Sequence, residues 1–224
     1  MKMHVEFFDN DLLITKECVN VIEIENKKYF YRLINSINDI ANLGSSDEII
    51  FFEEEKELNY NGKIKLIIDY FNLDFDSKKN EKEINKYVNE LLDDENKNNI
   101  FSSYNKIIKV YNKILNNIDL PLSVENEVSI ENITKLLKIS VKSKYDLLDN
   151  LLLIIDLEKT LQTNNLLFFV NLKQYLSKSE LIELYKYSIY NEVNIILIDS
   201  QSYGCTIEHE KKLIIDENLE EYML

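Results

Sequence analysis

Hydrophobic positions change their period along this chain. Near the N-terminus they come in short bursts bounded by Asp, Asn or Lys: Val5-Glu6-Phe7-Phe8, Leu12-Leu13-Ile14 and Val21-Ile22-Glu23-Ile24. Such bursts predict short antiparallel strands. From Tyr29 to Leu43 the residues Phe30, Leu33, Ile34, Ile37, Ile40 and Ala41 recur at helical spacing, and Gly44 stands where a C-cap belongs. A helix is therefore expected there, followed by a buried strand over Ile49 to Phe52. From about Lys63 to Ile118 the spacing reads as helical almost throughout, with Leu66, Ile67, Tyr70 and Phe71 in one segment and Ile84, Tyr87, Val88, Leu91 and Leu92 in another. The sole proline, Pro121, ends this stretch, and Ser129 is placed to cap a short helix carrying Ile130, Ile133, Leu136 and Leu137.

The last third has the clearest pattern. A long helix around Asp146 to Leu161 leads to Leu166-Leu167-Phe168-Phe169-Val170, a run too short and too aromatic for a helix of its own. Ser177 and Glu180 have the spacing of a capping box and open a helix through Leu181, Leu184, Tyr185 and Tyr187, after which Val193 to Ile198 is another buried strand. Strand, helix and strand with short connections make a βαβ unit with parallel strands and a right-handed crossover. The expected architecture is α/β: a mixed-sheet head assembled from residues 1–62 and 146–224, with an inserted all-helical domain over 63–145 that has a hinge near 119–128.

Composition narrows the classes of function. The longest apolar runs fall far short of the ~20 residues that span a bilayer, and acids interrupt the N-terminus by Asp9, Asn10 and Asp11, unlike a secretory signal. Two cysteines, Cys18 and Cys205, make neither a disulfide framework nor a cysteine-rich zinc site. A cytoplasmic protein is expected. The formal net charge of −14 repels nucleic acid on average, so any site for it must be local.

Catalytic motifs are missing where an α/β sheet invites them. A phosphate loop needs closely spaced glycines, but the chain has only Gly44, Gly62 and Gly204. The head is thus expected to resemble a P-loop protein without the loop. His4 and His209 lie at opposite ends of the chain and fit no triad or metalloprotease spacing, and Asp199-Ser200 stands at a strand terminus, where functional groups or a plain polar turn both occur.

The lysines are more informative. Between Asn96 and Ile118 there is no acid, and Lys106, Lys109 and Lys113 occur at i, i+3 and i+7, opposite a helix face carrying Ile107, Ile108, Tyr111 and Leu115. A second acid-free window from Asn132 to Tyr145 holds Lys135, Lys138, Lys142 and Lys144. Each window reads either as a solvated helix face or as a phosphate-binding surface. The linker around Pro121 gathers Asp119, Glu125 and Glu127, oxygen donors suited to a hard cation such as calcium or to a solvated loop; it has neither the spacing nor the glycine of an EF-hand.

The succession of C-terminal segments resembles a known family. Leu166 to Leu172, Tyr175-Leu176-Ser177, the helix ending Tyr185-Lys186-Tyr187, Ile195 to Ser200 and Leu213 to Leu219 are similar to the short form of the accessory spacer-acquisition protein of type II-A CRISPR-Cas systems. The resemblance implies a non-enzymatic protein with an α/β head and a helical leg, assembled as a homotetrameric ring. In that family the ring threads duplex DNA from its free ends and slides inward, calcium supports the ring, and the protein acts beside the integrase proteins and the effector nuclease. Carried onto this chain, the resemblance puts DNA binding on Lys106, Lys109, Lys113, Lys135, Lys138 and Lys142, and calcium on Asp119, Glu125 and Glu127. A degenerate nucleotide-dependent phosphotransferase and a protein-only adaptor of the acquisition complex are the competing readings.

Overall fold

The computed structural model describes every residue except 55, 74, 76, 125–127, 164 and 165. The N-terminal bursts pair antiparallel as β1 (Lys2–Val5) with β2 (Leu12–Leu13), and β1 pairs in the same sense with β4 (Ile49–Glu53), which continues to β5 (Lys56–Leu58). The first strand lies earlier than Val5 to Phe8, because the Phe8 amide donates back to the Val5 carbonyl at 3.0 Å and turns the chain there.

The third burst corrects the expectation more fundamentally. β3 (Val19–Ile24) is not antiparallel: it is an inner strand of a second sheet, parallel to β8 (Ile195–Asp199) on one side and β9 (Glu210–Ile215) on the other. All six of its residues are buried. Burial on both faces is the habit of parallel strands, whose partners come from distant sequence and leave no local signal. The sheet runs β10-β9-β3-β8-β7-β6, with β6 (Ile64–Ile67), β7 (Leu166–Val170) and β10 (Glu221–Met223), and only β10 is antiparallel to its neighbour. In chain order, its five parallel strands lie 5-1-4-3-2. β6 also replaces the helix expected over Leu66 to Phe71. Four to six apolar residues cannot distinguish strand from helix by period alone, and pairing with β7 decides for strand.

Helices cover both faces of this sheet. α1 (Lys27–Leu43) begins at Asn26, whose side chain accepts from the Lys28 and Tyr29 amides, and ends at Gly44 with φ 92°. The left-handed backbone at Gly44 favours glycine there, and an added Cβ would also push the exposed Asn61 side chain aside. Leu33, Ile37 and Ile40 of α1 join Ile22, Ile24, Phe168, Ile196, Ile198 and residues of the small sheet in one core. The opposite face lies under α5 (Leu147–Thr160) and α6 (Lys178–Tyr190): Lys65 pairs with Glu158 of α5, and the Tyr185 hydroxyl of α6 donates to Glu210 at 2.8 Å. The expected capping box at Ser177 and Glu180 is present.

The chain divides into two compact units, residues 1–73 with 144–224, and residues 74–143. The second is helical. α2 (Lys78–Leu91), α3 (Asp94–Leu115) and α4 (Ile130–Leu136) start at Ser77, Asp93 and Ser129, each of whose side chains accepts a first-turn amide. The Thr134 hydroxyl of α4 donates to Asn89 of α2 at 2.6 Å. Among the described residues no helix is long and apolar enough to cross a membrane.

Candidate functional site

In an open α/β sheet, ligands bind outside the carboxyl ends of the strands, where the connections diverge. Here that place is β3 between β8 and β9. Only Glu25 and Asn26 separate β3 from α1, and the Asn26 side chain occupies first-turn amides that a phosphate would use elsewhere. On the opposite face of β3 the chain buries its own anion. Glu23 is completely buried and accepts from Lys212 Nζ at 2.9 Å, Lys173 Nζ at 3.1 Å, and the Ser202 hydroxyl and Tyr203 amide at 3.2 Å each. Lys173 also bonds Glu210 at 2.7 Å. Burial alone would raise Glu23, but Lys212 and Lys173 outweigh it and hold this carboxyl below the ordinary range. Burial correspondingly disfavours the Lys173 ammonium, and Glu210 and Glu23 more than reverse that.

Sequence reading passed over most of this cluster. In the sequence Asp199 stands out only as a strand terminus, and Glu23, Lys173, Glu210 and Lys212 carry no motif. The available signal was a charge interrupting or ending an apolar run, as in Val21-Ile22-Glu23-Ile24 and Ile195-Ile196-Leu197-Ile198-Asp199.

The helical unit differs in charge from the rest. Residues 74–143 contain eleven lysines against twelve carboxylates, whereas the other unit has fifteen cationic side chains against twenty-eight carboxylates. Nearly all of the −14 therefore belongs to the sheet-bearing unit. Lys106, Lys109 and Lys113 are exposed on α3, with no ion pair among the described residues. Lys135 lies in the last turn of α4, Lys138 just beyond it with φ 49°, and Lys142 in the following segment; all three are exposed. Lys135 and Lys138 share a cleft of about 300 Å³ with Phe75, Glu81, Ile84 and Ile139.

The apolar side of α3 corrects the expected picture. Ile108 is buried, but Ile107, Val110, Tyr111 and Ile114 are 54%, 57%, 56% and 53% exposed. At 3.6 residues per turn the lysines project opposite Ile108, and these four residues form an apolar arc between the two. Such a contiguous stripe is unusual on a free surface. Val110 and Ile114 were readable in sequence, yet periodicity cannot say which part of a wide apolar arc finds a partner.

Of the expected calcium ligands only Asp119 is among the described residues, exposed after α3; Glu125 and Glu127 lie outside them. Among the described residues no group of three or more His, Cys, Asp or Glu is arranged to hold a metal ion.

No curated protein matches the chain by sequence. The crystal structure of Stu0660 of Streptococcus thermophilus has the same fold, with a TM-score of 0.65 over 100% of this chain and 76% of that one, at 13% identity. A family model described as CRISPR-associated protein (Cas_Csn2) matches residues 42–219. Because that match takes in most of the sheet strands and all of the helical unit, the chain belongs to the CRISPR-associated Cas_Csn2 family.

Proposed function

We propose that this CRISPR accessory protein is a non-enzymatic homotetrameric ring that takes up duplex DNA from its free ends, without sequence preference, during acquisition of new spacers. The observation that carries the reading is the charge division: a strongly acidic unit, and a helical unit near neutrality whose α3 lysines are exposed and unpaired among the described residues. Lysine is a flexible point charge suited to phosphate, whereas base readout favours planar donors, and this chain has a single arginine. Lys106, Lys109, Lys113, Lys135, Lys138 and Lys142 supply the contacts. The exposed apolar arc on α3 supports self-association, which turns several copies of the stripe toward one axis. Asn26, whose side chain takes first-turn amides of α1 that a phosphate would use, favours a binding protein over a phosphotransferase.

Calcium belongs to the proposal on donor chemistry alone: Asp119, Glu125 and Glu127 offer three hard oxygen ligands close in sequence to Pro121. The integrase proteins and the effector nuclease are the partners that the family resemblance implies.

A closed ring loads only from an end. The test compares one plasmid before and after linearisation: linear duplex should bind much more tightly than the covalently closed circle, and Lys106→Glu with Lys109→Glu and Lys113→Glu should abolish binding while leaving the assembly intact. Equal binding of circle and linear DNA would rule out threading, and normal binding by the triple variant would reduce the stripe to a solvated face.

A further inference from the structure

Five ionisable side chains are enclosed on one face of the parallel sheet: Glu23 and Asp199 near the carboxyl ends of β3 and β8, Lys173 just after β7, and Glu210 and Lys212 in the first half of β9. The side chains of Glu23, Glu210 and Lys212 are 0% exposed and that of Lys173 is 2% exposed; Asp199 is 0% exposed. Fully ionised, three carboxylates face two ammoniums, and both ammoniums are engaged by Glu23 and Glu210. Asp199 pairs in register with Glu23 across β3 and β8, so both side chains leave the sheet on the same face. Neither of its carboxylate oxygens has a side-chain hydrogen-bond partner among the described residues, and the Lys173 backbone amide is the one donor that stabilises it, without meeting full hydrogen-bond geometry. An anion so placed, with both nearby ammoniums already bonded to Glu23 and Glu210, is costly, and a proton is the simplest way to remove it.

We propose that Asp199 is a buried proton switch: protonated, it leaves the network with balanced charge; ionised, it loosens the loops that the network ties to the sheet. The groups around it come from every packed element: Glu23 on β3, Lys173 in the turn after β7, Glu210 and Lys212 on β9, Tyr185 on α6, Tyr70 after β6 and Tyr203 after β8. Burial pushes Asp199 up to about 7; Lys173 opposes this, and Glu23 and Glu210 add to it. The consequence runs through Lys173. An ionised Asp199 competes for that ammonium and draws it from Glu23, whose other oxygen holds the Ser202 hydroxyl and Tyr203 amide. The same stretch is tied by Lys212 Nζ to the Cys205 carbonyl at 2.9 Å and by the Ser200 amide to the Asn171 side chain at 2.8 Å. Residues 200–205 are thus the part that responds.

The test uses the full-length protein and infrared difference spectroscopy with ¹³C-labelled aspartate between pH 5 and pH 9. A protonated-carboxyl band should be lost with a midpoint near neutrality in the wild type and be missing from Asp199→Asn. Hydrogen exchange of residues 200–205, corrected for its intrinsic rise with pH, should accelerate several-fold through the same midpoint in the wild type only. As a second variant, Glu23→Gln should move the midpoint down, since it removes a facing anion and frees ammonium charge. Absence of a protonated carboxyl at pH 5 to 6, or loop exchange that ignores the midpoint, would overturn the proposal.

Discussion

At the scale of single residues, the buried network makes a signed prediction about pH. Asp199 has a folded value of about 7, above its ordinary 3.8. Below the lower value both folded and unfolded forms carry the proton, and no stability is lost. As pH rises from about 4 to about 7 the unfolded form ionises first, so this residue's contribution falls, and above about 7 the loss is complete. Asp199→Asn should therefore be more stable than the wild type at pH 8, by on the order of a few kcal/mol, and should lose that advantage at pH 4. Denaturant midpoints at the two pH values measure it, and an Asn variant weaker than the wild type at pH 8 would contradict it. Lys173 predicts the reverse kind of change. Lys173→Met strands Glu23 and Glu210 in the interior, and removal of one partner from a buried pair costs about 3–5 kcal/mol, visible as a lower denaturant midpoint at neutral pH. None of this was legible residue by residue: a Glu in a strand and a Lys beside a turn look alike whether buried or solvated, and only the convergence of β3, β8, β9 and the turn after β7 gives them partners.

Secondary-structure elements were more readable. Ser129 and Asp146 cap the short fourth helix and the long fifth one, and the Gly44 stop and the Ser177 capping box lie where residue chemistry places them, because each depends on neighbours only a few residues away. Ile64 to Ile67 went the other way, since a short apolar run takes its conformation from the strand beside it. α3 combines the two cases: its existence follows from its period, but the partner of its exposed apolar arc does not. Ile107→Gln, Val110→Gln and Ile114→Gln together should leave helix content unchanged by circular dichroism, because each is more than half exposed, and should shift light-scattering mass toward smaller species. An unchanged mass would remove this arc from the assembly interface.

For the whole molecule, the charge division governs behaviour. If four subunits each engage two or three lysines, roughly eight to twelve phosphates are neutralised, and the log-log dependence of DNA affinity on salt should have a slope of order −7 to −11. A much shallower slope would mean that fewer chains meet the DNA than a tetramer provides. The proposed calcium would act at the same scale. A cation that binds the assembled form alone raises its stability by mass action, so chelator should lower the melting temperature or dissociate the assembly. If Glu125→Gln with Glu127→Gln leaves that response unchanged, other carboxylates hold the ion.

By itself, the sequence determined the α/β class, the caps, the βαβ unit at its C-terminal end, the missing glycine loop and the family resemblance, all of which rest on local chemistry or on the order of segments along the chain. Tertiary structure alone decided that β3 is parallel and internal, that Ile64 to Ile67 joins the main sheet, and that five buried ionisable groups meet on one face of it. The reason is one of range. A cap or a helical period is satisfied within a few residues, whereas strand direction and the burial of Glu23 are settled by contacts with residues about 150 to 190 positions away, for which no local pattern exists.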